Sequence, residues 1–304
     1  MTSSTVQVSP ESYADLAGGV SICYQTFGDP SDEAILLVMG LGGPMNWWDP
    51  ALCTMLADRG FFVIRFDNRD TGRSTRIDGR INRRMLLGSF VGARRRTHPP
   101  YTLTNMADDA FGLLDSLRID SAHVVGVSMG GMIAQTMAIA RPERVRSLTS
   151  IMSTTGRRSV GWTDPRLLPM MLTGRAASAE EYVAASARLW ALIGSPAYRA
   201  APEEVRERAM ETWARGVSPA GVARQMAAIL VQPDRGPALA DLRMPVLVIH
   251  GLVDKMVHVS GGRTTARAIP GAELLLVPGM GHDIPQALYP RFVDAIARTA
   301  SRAR

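Results

Sequence analysis

The chain has 304 residues, 46% of them hydrophobic and 20% charged, which suits one large core and is too apolar for a disordered chain. Its formal charge of +6 sits in one stretch, where Arg76, Arg80, Arg83, Arg84, Arg94, Arg95 and Arg96 face only Asp78; the rest balances, which argues against a nucleic-acid-binding body. Two cysteines, Cys23 and Cys53, are too few for a disulfide framework, and no Cys/His cluster has zinc spacing, so buried thiols and no metal are expected.

Residues 1–20 join no basic cluster to a continuous apolar run, so neither a secretory signal nor stable membrane insertion is expected and the chain reads as cytoplasmic. The first apolar run, 34–39 (AILLVM), leads into a glycine-rich loop, Met39, Gly40, Leu41, Gly42, Gly43 and Pro44, and then Trp47 and Trp48. A second run, Phe61–Phe66 (FFVIRF), opens onto D-N-R-D-T-G-R-S at 67–74. Residues 76–101 break the rhythm, with Met85, Leu86, Leu87, Phe90 and Val91 between basic clusters. They read as a lid-like solvated loop, attraction of an anionic substrate or membrane surface being the alternative use.

A helix is predicted over 106–117 from apolar residues at Met106, Ala110, Leu113, Leu114 and Leu117, with Thr104 as cap and Asp108 and Asp109 near its positive end. The run 123–127 (HVVGV) merges into G-V-S-M-G-G at 126–131 and an apolar helix over 132–140, and a further run covers 145–152. Short runs of this kind between helices predict strands buried on both faces of a doubly wound, mostly parallel α/β sheet.

Residues 155–236 hold no strand pattern but several helix-compatible stretches carrying Met170, Met171, Trp190, Trp213 and Met226. They are expected to form a helical cap inserted in a core made of 1–154 and 237–304. The strand rhythm resumes at 246–250 (VLVIH) and Glu273–Val277. It ends in a helix over Tyr289–Ala300 with Phe292, Ala295, Ile296 and Thr299 on one face, and no internal repeat is present.

The sharpest chemical signal is the G-x-S-x-G element, because a strand enters it and a helix leaves it. Such a strained turn lifts Ser128 clear of the backbone at a helix N-terminus, where developing negative charge is favoured. A neutral serine needs an imidazole base, and the base needs a carboxylate to fix its tautomer. His282 follows the last predicted strand on a glycine-rich loop (P-G-M-G-H-D) at the C-terminal edge, where such sheets keep their sites. His98, His123, His250 and His258 read as structural: His123 opens a strand, His250 closes one and His258 begins a helix, although His250 and His258 are placed to flank the site. Asp254 follows the strand 246–250 at the same edge; the preceding strand ends in M-S-T-T-G without a carboxylate, and Asp283, beside the base, is expected to point elsewhere. The order Ser128, Asp254, His282 differs from chymotrypsin-type and subtilisin-type enzymes. Oxyanion donors are expected at the N–H groups of Met129 and Leu41. Gly40, Trp47, Trp48, Trp162, Trp190 and Trp213 are candidates for the substrate wall, with cap-to-core packing as their plainer role.

At this point the chain resembles the α/β-hydrolase superfamily from Gly28, Asp29 and Pro30 to the terminal helix. V-M-G at 38–40, F-D-N-R-D-T-G-R-S at 66–74, H-V-V-G-V-S-M-G-G at 123–131 and P-G-M-G-H at 278–282 are similar to the branch containing aclacinomycin methylesterase. The resemblance implies an esterase; the relative cleaves a methyl ester from an aromatic polyketide. Leu41 to Trp48 and the cap depart from that relative, so its substrate is not carried over. The 67–74 element is expected to brace loops around the site. The expectation is therefore a cofactor-free serine hydrolase acting through an acyl-enzyme on a hydrophobic small-molecule ester or lactone. A homodimer is left open. A perhydrolase or haloperoxidase-like enzyme, a lyase or cyclase, and a non-catalytic hydrophobic-ligand-binding protein are the alternatives on the same scaffold.

Overall fold

The computed structural model describes residues 6–79, 81, 98–167 and 176–303. Most of the arginine-rich stretch lies outside them, as do Met170 and Met171, so the lid-like reading of 76–101 is not addressed by the described residues.

Eight strands form one sheet in the order β1-β2-β4-β3-β5-β6-β7-β8: β1 (Ser12–Asp15), β2 (Ser21–Phe27), β3 (Glu33–Val38), β4 (Phe61–Phe66), β5 (Ala122–Val127), β6 (Val145–Ile151), β7 (Val246–Gly251) and β8 (Glu273–Val277). From β4 to β8 every pairing is parallel, while β1 and β2 are antiparallel. Helices cover both faces, and this explains the unbroken apolar runs. Along β3, Leu36 and Val38 pack with one cluster that includes Phe111 and Ile133, whereas Ile35 and Leu37 pack with another that includes Leu52 and Phe292. The first cluster takes α2 (Leu103–Ser116) and α3 (Met129–Ala140); the second takes α1 (Pro50–Ala57) and α9 (Tyr289–Ala300).

Two readings are corrected. The sequence pattern does not reveal β1 and β2, because the alternation there is mixed with polar residues on an edge whose outer strand has a single neighbour. The helix predicted from 106 begins at Leu103. Its cap is Thr102, not Thr104: the Asn105 N–H donates to Thr102 Oγ1, and the Thr102 N–H donates to Asn105 Oδ1 at 2.9 Å. Asp108 and Asp109 consequently lie beyond the first turn, and Asp109 is buried, accepting two bonds from the Arg69 guanidinium.

Between β6 and β7 the chain adds α4 (Ala179–Ile193), α5 (Pro202–Arg215), α6 (Pro219–Val231) and the short α7 (Gly236–Leu239), and among the described residues no strand. The last two helices that flank the sheet are α8 (Ser260–Ala268), beside β7 and β8, and α9. The 67–74 segment ties α5 and α6 down. Arg215 of α5 binds Asp67 at 2.8 Å, Arg224 of α6 binds Asp70 at 2.6 Å, and Gln225 donates to the Arg69 carbonyl and Thr71 while its own Oε1 accepts the Gly42 N–H. Among the described residues no helix is long and apolar enough to cross a membrane.

Candidate active site

Ser128 joins β5 to α3 with φ 55° and ψ −117°, a conformation a serine adopts only under constraint. The constraint is backbone crowding. A Cβ at Gly126 would lie 2.2 Å from the Gly130 carbonyl oxygen, and one at Gly130 would lie 2.0 Å from that of Val38. Glycine at both positions lets the turn close and brings α3 against the end of β3.

The serine Oγ then faces His282 Nε2 at 3.0 Å, and His282 Nδ1 lies 2.7 Å from Asp254 Oδ2. Asp254 sits behind the imidazole, its side chain fully buried, with Oδ1 accepting the N–H groups of Met256 and Val257 at 2.8 and 2.9 Å. Burial alone would raise its pKa, but His282 and the hydrogen bonds from His250 and His282 outweigh this and hold the carboxyl well below its ordinary range. An ionised carboxylate only accepts, so Nδ1 of His282 carries the proton and Nε2 presents a lone pair to the serine hydroxyl.

Three further groups hold this line in place, and of these Ser153 left no sign in the sequence. Ser153 donates to the Ser128 carbonyl at 2.8 Å. His250, fully buried, donates from Nε2 to the Val257 carbonyl at 2.8 Å and stands 3.4 Å from Asp254 Oδ2, so it flanks the site through the carboxylate. Asp283 does point away from the serine: it accepts from Ser195, whose Oγ also receives the Gly281 N–H, while the His282 N–H donates to the Ile193 carbonyl at 2.7 Å. The histidine loop is thus anchored to the end of α4. His258 does not begin a helix, because α8 starts at Ser260; its ring stacks on Trp162 at 4.0 Å.

The glycine-rich loop lies directly over the serine, since a Cβ at Gly40 would be 3.2 Å from that of Ser128. The Asn68 side chain donates to the Met39 carbonyl, and the amides of Gly42 and Gly43 are engaged with Gln225 and Gly40. Leu41 lies between these anchored positions.

A cavity of about 2080 Å³ opens onto Ser128 and His282 and is bounded by Gly40, Leu41, Trp47, Trp162 and Trp190. Trp48 and Trp213 are corrections. Trp48 is buried in the core with Leu52 and Phe61: it follows the 3-10 turn at Met45–Trp47, where successive side chains diverge, and Asn46 and Trp47 face the cavity while Trp48 does not. On α5 the cavity face is Glu204, Glu207, Arg208 and Glu211; Trp213, two residues beyond Glu211, turns away and packs on Tyr182 at 5.7 Å. Among the described residues no group of three or more His, Cys, Asp or Glu side chains is placed to hold a metal ion.

Residues 33–285 match the family model described as alpha/beta hydrolase fold. The chain is similar to the rhodomycin D methylesterases DauP of Streptomyces sp. strain C5, at 31% identity, and DnrP of Streptomyces peucetius, at 30%; each match covers 91% of this chain and 94% of the relative. Among solved structures it is similar in fold to the enol-lactonase from Burkholderia xenovorans LB400, with a TM-score of 0.75 and 22% identity over 95% of this chain and 100% of the other.

Proposed function

Given that this chain belongs to the α/β-hydrolase fold family, in the branch that holds the rhodomycin D methylesterases, we propose that it is a serine esterase cleaving carboxylic esters of hydrophobic small molecules. The observation that carries this reading is the hydrogen-bonded line from Ser128 Oγ through His282 to Asp254, at 3.0 and 2.7 Å, opening onto a cavity bounded in part by Leu41, Trp47, Trp162 and Trp190.

In this reading Ser128 Oγ attacks the ester carbonyl carbon as its proton passes to His282 Nε2, and the imidazolium that forms is stabilised by Asp254. The N–H groups of Met129 and Leu41 receive the oxyanion. His282 returns the proton to the departing alcohol, leaving an acyl-enzyme, then takes a proton from water, whose oxygen adds to the acyl carbon; as the bond from that carbon to Ser128 Oγ breaks, His282 gives the proton to the serine oxygen and the acid leaves. Residues 155–236 act as the cap that bounds the substrate cavity. Every proton moves between the serine, the histidine, the alcohol and water, so this route draws on no cofactor.

The test is turnover of a short-chain p-nitrophenyl ester by Ser128→Ala. We expect a loss of at least about 10³-fold in kcat with an unchanged thermal unfolding midpoint. Turnover within twofold of the parent would remove Ser128 from the mechanism.

A further inference from the structure

Among the arginines on the cavity wall, Arg208 carries a buried donor that has no partner among the described residues. Arg208, on the cavity face of α5, lays its guanidinium over the Trp190 ring, 4.5 Å from the centroid. Its Nε is buried and has no hydrogen-bond partner among the described residues. Asp283, Tyr289, Glu204 and Asp49 act on it only through space.

The carboxylates among those neighbours are occupied elsewhere. Asp283 accepts from Ser195, Glu204 accepts the Ala201 N–H at 3.2 Å, and Asp49 accepts from Ala51, Gln286 and Tyr289. The platform beneath the guanidinium is fixed in turn. Trp190 meets the edge of Trp47 at 5.4 Å, the Trp47 Nε1–H donates to Thr212 Oγ1 at 2.9 Å, and the Thr212 hydroxyl donates to the Arg208 carbonyl at 2.6 Å. A guanidinium stacked by its face presents its N–H groups edge-on, the geometry that a carboxylate accepts with both oxygens. A buried cation with unsatisfied donors costs free energy, and burial does pull the Arg208 pKa down, so an anion arriving there gains the interaction that the fold has withheld.

We propose that Arg208 is a specificity residue that selects esters bearing a free carboxylate set apart from the scissile bond by an apolar spacer. The carboxylate lies edge-on to the guanidinium, and Trp47 and Trp190 cover the spacer. This rests on the esterase reading above and adds a substrate class to it.

The test compares monomethyl suberate with dimethyl suberate, which share a chain and differ by one charge, in the parent protein and in Arg208→Met and Arg208→Lys. The ratio of kcat/KM for the half-ester to that for the diester is expected to fall at least about tenfold in Arg208→Met and to hold an intermediate value in Arg208→Lys. A ratio that stays within about twofold across all three proteins overturns the proposal; should Arg208→Met not fold, Arg208→Lys and Arg208→Gln read the same ratio. A binding arm separates this from failure of the esterase reading: calorimetric binding of 4-phenylbutyrate against 4-phenylbutanol requires no turnover. If neither ester is cleaved, the esterase reading falls, and the Arg208 site still stands when the acid binds at least about tenfold more tightly than the alcohol in the parent but not in Arg208→Met. Equal affinities in the parent overturn it.

Discussion

Ser128 owes its reach to two neighbours that have no side chain. Because a Cβ at Gly130 would stand 2.0 Å from the Val38 carbonyl oxygen, backbone on backbone, no side-chain rearrangement relieves it. Gly130→Ala is therefore expected to destabilise the protein by at least about 2 kcal/mol, read as a lower urea midpoint, and to lower esterase turnover as α3 shifts. An unchanged midpoint would mean that the turn is not held by this contact. The same glycines are what make the site legible in the sequence: residues 126–131 announce the strained strand-to-helix turn, and Asp254 and His282 each stand just after an apolar run. Trp48 and Arg208 were opaque for a shared reason. Which way a tryptophan at the end of a 3-10 turn faces, or whether a helical arginine meets a carboxylate, depends on contacts with residues more than eighty positions away. The Trp47 to Thr212 bond and the anchoring of Asp283 on Ser195 are of that kind.

Strands buried on both faces were readable as apolar runs, whereas β1 and β2 were not, since each mixes polar and apolar residues on the antiparallel edge. The ties between elements were equally hidden. Asp70, fully buried, accepts Nε and Nη2 of Arg224 at 2.8 and 2.6 Å, the Tyr101 hydroxyl at 2.6 Å and the Ile77 N–H at 2.9 Å, joining α6 to the loop after β4. Burial raises its pKa, but the bonds from Arg224 and Tyr101 prevail and the carboxyl lies below its ordinary value. A folded-state pKa below the unfolded one gives stability that is complete above the unfolded value, about 3.9 for Asp, and lost as the pH falls through the folded value. Asp70→Asn leaves Arg224 buried without its counter-charge and should cost about 3 kcal/mol at pH 7. The gap to the parent should narrow as acid titrates Asp70 in the parent. Urea unfolding between pH 7 and pH 3 measures it, and a gap that does not change with pH would contradict the assignment.

For the molecule as a whole, the parallel sheet brings the ends of β3, β5, β7 and β8 to one edge, where the glycine-rich loop, the serine, the carboxylate and the histidine meet although they are spread over more than 240 residues. The helices between β6 and β7 lend residues to the cavity wall and are tied to the 67–74 segment by Arg215, Arg224 and Gln225. Family membership and the α/β-hydrolase sheet were both readable from spaced motifs; the size and charge of the cavity under the helices were not, because side chains from both sides of the insertion create it. The most direct measurement is mass spectrometry of the intact chain after exposure to a fluorophosphonate, with the adduct mapped by peptide. One adduct on Ser128, absent in Ser128→Ala and formed far more slowly in His282→Ala, is predicted; an unlabelled protein, or label on another residue, would contradict the account.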